Sequence, residues 1–150
     1  MFAKRVHIVP VGEDVERTVA PARTMSADRV YLLADERGSA AKAETAAERL
    51  AADGVETAIE SVDHGTVYAV LGLVTTLADR HAPDDTVWVN VSTGSRLATI
   101  GAALACMDAD TDAEAYHVPA ADADATAVAD RTAGDDGVAV VPDYPIESPS

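Results

Sequence analysis

An α/β fold with a mainly parallel sheet is predicted by three features of these 150 residues. Short apolar stretches, at 5–11 (RVHIVPV), 29–34 (RVYLLA) and 86–91 (TVWVNV), carry little charge, as strands buried on both faces do. Segments with helical spacing separate them, and that alternation calls for right-handed crossovers between parallel strands. The length fits one domain that buries roughly two thirds of its unfolded surface, so neither a metal nor a disulfide is needed to hold it.

The first strand, Arg5 to Val11, is closed by Gly12-Glu13-Asp14. Val15 to Met25 follows, with Val15, Val19, Ala22 and Met25 at helical spacing and Pro21 as an irregularity. Arg29 to Ala34 is the second strand and ends in Asp35-Glu36-Arg37-Gly38. Ser39 is placed to cap a helix over Ala40 to Asp53, whose stripe is Ala43, Ala47, Leu50 and Ala51. Gly54 stops that helix, and Val55 to Val62 alternates as a third strand.

Asp63-His64-Gly65 opens the longest helix, Thr66 to His81. Val67, Val70, Leu71, Val74 and Leu77 share one side while Tyr68 and Leu73 lie elsewhere, so a second packing partner is expected. Pro83-Asp84-Asp85 ends it, and the fourth strand, Thr86 to Val91, runs through a polar loop into a helix over Leu97 to Met107. There Leu97, Ile100, Leu104 and Met107 stand among glycine and alanines, which permit close packing on another helix, of this subunit or of a twin. A fifth strand falls within Ala113 to Pro119. Ala120 to Gly137 is an Ala/Asp-rich loop with some helix, Val138 to Val141 a short last strand, and Asp143 to Ser150 a proline-rich linker.

Charge is the strongest compositional signal. With 26 acidic against 11 basic residues the formal net charge is -15, and Lys4 and Lys42 are the two lysines. This is the surface chemistry of halophilic proteins in concentrated salt, so it describes the cell more than the task. With no basic stripe to neutralise phosphates, the chain is expected to be a poor DNA binder unaided. A single cysteine, Cys106, excludes a disulfide framework within the chain and is expected as a small buried thiol. No stretch reads as a transmembrane helix or a complete signal peptide, so a cytoplasmic protein is expected.

Ligands of such sheets bind outside the carboxyl ends of the strands. Two loops meet that condition at the switch point of a sheet ordered 3-2-1-4-5: Pro10 to Asp14 after strand one, and Ser92 to Arg96 after strand four. A loop leaving a buried strand for a helix turns backbone N–H groups and hydroxyls outward beside the positive end of the helix dipole, which suits an anion. Gly94 lets a ligand approach the backbone, and Arg96 offers a planar fork to phosphate. The alternative is a turn in which Ser and Thr merely cap the helix. Neither loop is a GxGxxG or Walker pattern, so an ordinary dehydrogenase or P-loop enzyme is not supported, and no cofactor or metal is expected.

The run Asn90-Val91-Ser92-Thr93-Gly94-Ser95-Arg96 resembles the second motif of CRISPR-associated Rossmann-fold (CARF) domains. That motif reads Asp or Asn, an apolar residue, a hydroxyl residue, a small residue, Gly, a hydroxyl residue, then Lys or Arg. The likeness extends over about residues 4 to 142 and is nearest to the N-terminal domains of archaeal winged helix-turn-helix regulators. It implies a Rossmann-like three-layer sandwich, a homodimer, and a pocket across the twofold axis for cyclic oligoadenylate or a related nucleotide. Val11, Gly12 and Glu13 match the first loop of that pocket, and Ser92, Thr93, Gly94, Ser95 and Arg96 the second. Two departures stand out: Glu13 and Asp14 put carboxylates near the expected phosphates, and no lysine backs the pocket. A smaller nucleotide, or an empty pocket, is therefore kept open.

The resemblance makes residues 1–142 a sensor domain and 143–150 a linker toward a DNA-binding domain absent from this chain. Two alternatives remain: a metal-independent ring nuclease using Ser92, Thr93 and Arg96, and a structural dimerisation module with no ligand. Among other residues, His7 and His117 fall in strands and are expected to be hydrogen-bonded core or edge groups. His64 and His81 lie at opposite ends of one helix, too far apart to share a metal. Asp63-His64 as an acid/base pair, and Asp35-Glu36 as a ribose contact, are each the weaker reading beside a helix start and a solvated turn.

Overall fold

The computed structural model describes residues 3–35, 38–81, 83–108, 110–118 and 139–140. In chain order the elements are β1 (Arg5–Pro10), α1 (Val15–Thr24), β2 (Arg29–Asp35), α2 (Ala40–Ala52), β3 (Glu56–Val62), α3 (Val67–Asp79), β4 (Thr86–Asn90), α4 (Arg96–Met107), β5 (Glu114–His117) and β6 (Ala139–Val140). One sheet runs β3-β2-β1-β4-β5-β6; its first five strands are parallel and β6 pairs antiparallel with β5. The α/β class and the 3-2-1-4-5 order predicted from sequence are therefore present, with the short sixth strand at the edge. Glu36, Arg37, the stretch 120–137 and the linker 143–150 lie outside the described residues.

Three layers result because the central strands are apolar on both faces. Val6 and Ile8 of β1 join Tyr31, Leu33, Val87 and Val89 on the face covered by α3 and α4. Val9 and Val11 join Val30 and Leu32 on the face covered by α1 and α2. The helix stripe of α2 differs from expectation: Ala43, Ala46 and Leu50 are buried and Ala51 is exposed, as a period of 3.6 residues through Leu50 requires. Ser39 occupies the N-cap of α2 but makes no cap; its hydroxyl accepts the Asp35 N–H at 2.6 Å instead.

The small residues of α4 settle which helix they serve. Ala98, Ala102 and Ala105 join the α3-side core, and a Cβ on Gly101 would stand 2.6 Å from the Val67 carbonyl of α3. The apolar stripe lies on the other face: Leu97, Ile100, Leu104 and Met107 are 41%, 42%, 42% and 52% exposed, and Tyr68 of α3 is 79% exposed. Among the described residues no helix is long and apolar enough to cross a membrane.

Pro21 sits inside α1, where it has no N–H for the carbonyl of Arg17 four residues earlier. Asn90 at the end of β4 donates Nδ2–H to that carbonyl at 3.3 Å. Asn90 Oδ1 also accepts from the Ser92 N–H at 2.9 Å and the Ser92 hydroxyl at 2.7 Å. One buried amide thus ties the end of β4 to the irregular turn of α1 and sets the loop that follows.

Candidate functional site

The loop after β1 and the loop after β4 meet at the carboxyl edge of the sheet. A Cβ on Gly12 would lie 2.7 Å from Gly94 N, and one on Gly94 would lie 2.8 Å from Pro10 Cβ. Gly94 has φ +87°, a conformation that side chains rarely adopt. Two glycines are what allow the loops to close on each other. Between them lies a cavity of about 220 Å³.

Five of the eight residues singled out from sequence line it: Val11, Gly12, Glu13, Gly94 and Ser95. Among the described residues four more come from elsewhere in the chain: Asp35, Gly38, Ser39 and His64. The cavity therefore spans the ends of β2, β1 and β4, not only the two loops. Ser92, Thr93 and Arg96 do not line it.

The loop hydroxyls turn inward rather than outward. Ser92 Oγ donates to Asn90 Oδ1 and accepts the Val118 N–H at 2.9 Å. Ser95 Oγ donates to the His64 carbonyl at 2.9 Å and accepts the Ala98 N–H at 3.1 Å, the N-cap bond of α4. Thr93 is buried, with its Oγ1 unpartnered among the described residues. Ser92 and Ser95 build the turn because three of these bonds, to the Val118 N–H, the His64 carbonyl and the Ala98 N–H, satisfy backbone groups near the strand-to-helix change. Arg96, the first residue of α4, is exposed, and the N–H groups of Arg96 and Leu97 have no helical partner at this end.

His64 is the residue sequence reasoning undervalued. It is 2% exposed, yet it lines the cavity. Its Nε2 lies 2.9 Å from the Leu33 carbonyl, which can only accept, so Nε2 carries a proton. Asp63 faces the turn: its Oδ1 accepts the Gly65 N–H at 2.8 Å and its Oδ2 the Thr66 hydroxyl at 3.1 Å. The signal available is a histidine two residues past the end of β3, on the same edge as both candidate loops.

Two of the remaining histidines, His7 and His81, have structural partners. His7 is buried with Nδ1 3.0 Å from Tyr116 Oη, and burial lowers its pKa to about 4. His81 joins Tyr31 Oη at 3.0 Å and Asp85 at 3.2 Å. His117 is exposed on β5; partial burial and then the charge of Arg17 lower its pKa. The Cys106 thiol is half-buried, and burial followed by Glu114 pushes it up to about 12, so it is unreactive at neutral pH. Among the described residues no group of three His, Cys, Asp or Glu is placed to hold a metal ion.

A model of the HFX_2341_N:-like, N-terminal family matches residues 5–123. The chain belongs to this CARF-like family. Solved structures share the fold at low identity. Csm6 of Enterococcus italicus, bound to cyclic hexa-2'-fluoro-hexa-dAMP, is 14% identical with a TM-score of 0.70, over 93% of this chain and 41% of that one. A type III CRISPR defence DNA nuclease activated by cyclic oligoadenylate is 18% identical, TM-score 0.65, over 79% and 19%. Can2 of Sulfobacillus thermosulfidooxidans, in complex with cyclic tetra-adenylate, is 14% identical, TM-score 0.62, over 77% and 32%. The chain thus spans less than half the length of each. No curated protein matches it.

Proposed function

We propose that this CARF-like domain is a dimeric, cytoplasmic sensor that binds a nucleotide-like anion, cyclic oligoadenylate or a relative of it. In a longer protein it would relay that binding to a DNA-binding module. The observation that carries the reading is the Gly12–Gly94 approach, which joins the two strand-end loops into one cavity beside the N-terminus of α4. Open N–H groups, the helix dipole and the Arg96 guanidinium suit a phosphate there. Neighbours of the same fold are described with cyclic oligoadenylates bound or as activators, which favours that ligand class.

Dimerisation is supported by the exposed stripe of α4. Leu97, Ile100, Leu104 and Met107 form an exposed apolar row with Tyr68 also exposed, and such a face fits a second copy of itself. DNA contact would fall to a domain beyond this chain, since the charge of -15 repels a phosphate backbone.

Thermal unfolding in molar salt tests the reading with cyclic and linear oligoadenylates and mononucleotides. A ligand at 100 times its Kd adds about 2.7 kcal/mol, a rise of roughly 5–10 °C for a domain of this size. Arg96→Ala should shrink that rise. A dimer whose melting point no nucleotide moves would leave dimerisation as its role.

A further inference from the structure

The loop after β4 has two halves that face different ways. Gly94 and Ser95 line the cavity. Ser92 does not; its hydroxyl turns to the ends of β4 and β5. There is little slack between the halves, because Gly94 sits against Gly12 and Pro10 with no room for a Cβ on either glycine.

Away from the cavity, four hydrogen bonds close a circuit. The Arg17 guanidinium donates Nη2–H to the Val118 carbonyl, and the Val118 N–H donates to Ser92 Oγ at 2.9 Å. Ser92 Oγ donates to Asn90 Oδ1 at 2.7 Å, and Asn90 Nδ2 donates to the Arg17 carbonyl at 3.3 Å. Arg17 begins and ends the circuit, with its side chain on the exit of β5 and its backbone on the end of β4. The described residues supply the guanidinium with no carboxylate partner, and the Val118 carbonyl is its anchor. His117 senses the same charge: after partial burial, Arg17 lowers its pKa. Val118 lies one residue past β5, beyond the bond from the Val91 N–H to the Tyr116 carbonyl. Both of its backbone groups are therefore held by side chains, and they follow Ser92 and Arg17.

We propose that this circuit is a relay from the cavity to the exit of β5, with Arg17 as its positioning residue. It rests on the nucleotide-binding reading above and adds how the bound state leaves the loop. A ligand seated against Gly94 and Ser95 fixes Ser92 two residues away, and Ser92 cannot shift without loosening its bonds to Asn90 and Val118 together. Hydrogen bonds in a closed circuit strengthen one another, so they close and open as a unit. β6 pairs with Tyr116 and His117, so Val118 stands where the chain leaves the sheet and beside where it returns.

The test is amide exchange by NMR on the full chain in molar salt, with and without saturating cyclic tetra-adenylate. The ligand should raise protection of the Val118 N–H about fivefold or more. Binding and closure are reciprocal, so Arg17→Ala, which opens the circuit and suits a helix, should weaken cyclic tetra-adenylate by a similar factor and abolish that rise. Arg17→Lys, which keeps a donor for Val118, should restore most of both. An Arg17→Ala variant that is less stable but still gains full protection at Val118 would make Arg17 a purely structural residue and overturn the relay. A bound ligand that leaves Val118 protection unchanged or lower in the wild type would also overturn it, with nucleotide sensing intact. Failure of every nucleotide to bind would overturn both.

Discussion

Asn90 supplies the hydrogen bond that Pro21 cannot: its Nδ2 lies 3.3 Å from the Arg17 carbonyl, the group a residue with an N–H at position 21 would have reached. The same side chain holds Ser92 by two bonds. Asn90→Asp keeps the acceptors and removes the donor, so it should cost about 1–3 kcal/mol in chemical denaturation. In Pro21→Ala, where the helix regains its own N–H, the Asn90→Asp cost should be smaller by about 0.5 kcal/mol or more. Equal costs in the two backgrounds would show that the two residues are not linked.

His7 makes stability depend on pH. Its pKa is about 4 in the fold against an ordinary 6.5, so below 6.5 the unfolded chain binds a proton that the folded one refuses. The folded state loses stability as pH falls from 6.5 to 4, by about 3 kcal/mol in all if the full shift applies. The comparison is between wild type and His7→Gln: the stability of wild type relative to the variant should be lower at pH 4.5 than at pH 7.5.

The glycines around the cavity are not equivalent. Gly12→Ala would put a Cβ 2.7 Å from backbone, and Gly94→Ala one 2.8 Å from Pro10 Cβ at a φ of +87°. Each should lower stability by about 1–3 kcal/mol and weaken nucleotide binding. Gly38→Ala meets nothing within 4 Å and should stay within about 0.5 kcal/mol of wild type. A thermal melt of the three variants checks this ordering.

The two faces of α4 should separate folding from association. Gly101→Ala drives a Cβ to 2.6 Å from the Val67 carbonyl, so it should lower the melting temperature. Ile100→Glu with Leu104→Glu, on the exposed stripe, should leave the fold intact and shift sedimentation from dimer to monomer. A double variant that sediments like wild type would remove this face as the dimer contact.

Much of the fold was legible because its signals are local. Apolar runs such as Arg29 to Ala34 and the stop at Gly54 mark elements, and the loops at Gly12 and Gly94 mark the switch point that fixes strand order. Side-chain direction was not legible. Ser92 and Ser95 look like ligand hydroxyls in a motif, but their partners, Val118 and the His64 carbonyl, are distant in sequence. In the sequence His64 pairs with its neighbour Asp63, whereas its structural partner is Leu33, 31 residues away. The α4 pattern showed a small face and a large apolar face, and packing on α3 decided which of them stayed outside.

The most direct measurement is the stoichiometry of cyclic tetra-adenylate binding to the chain in molar salt, by calorimetry on material of known association state. Saturable binding of one ring per dimer is expected, weakened about tenfold or more by Arg96→Ala. No binding to a well-folded dimer would contradict it.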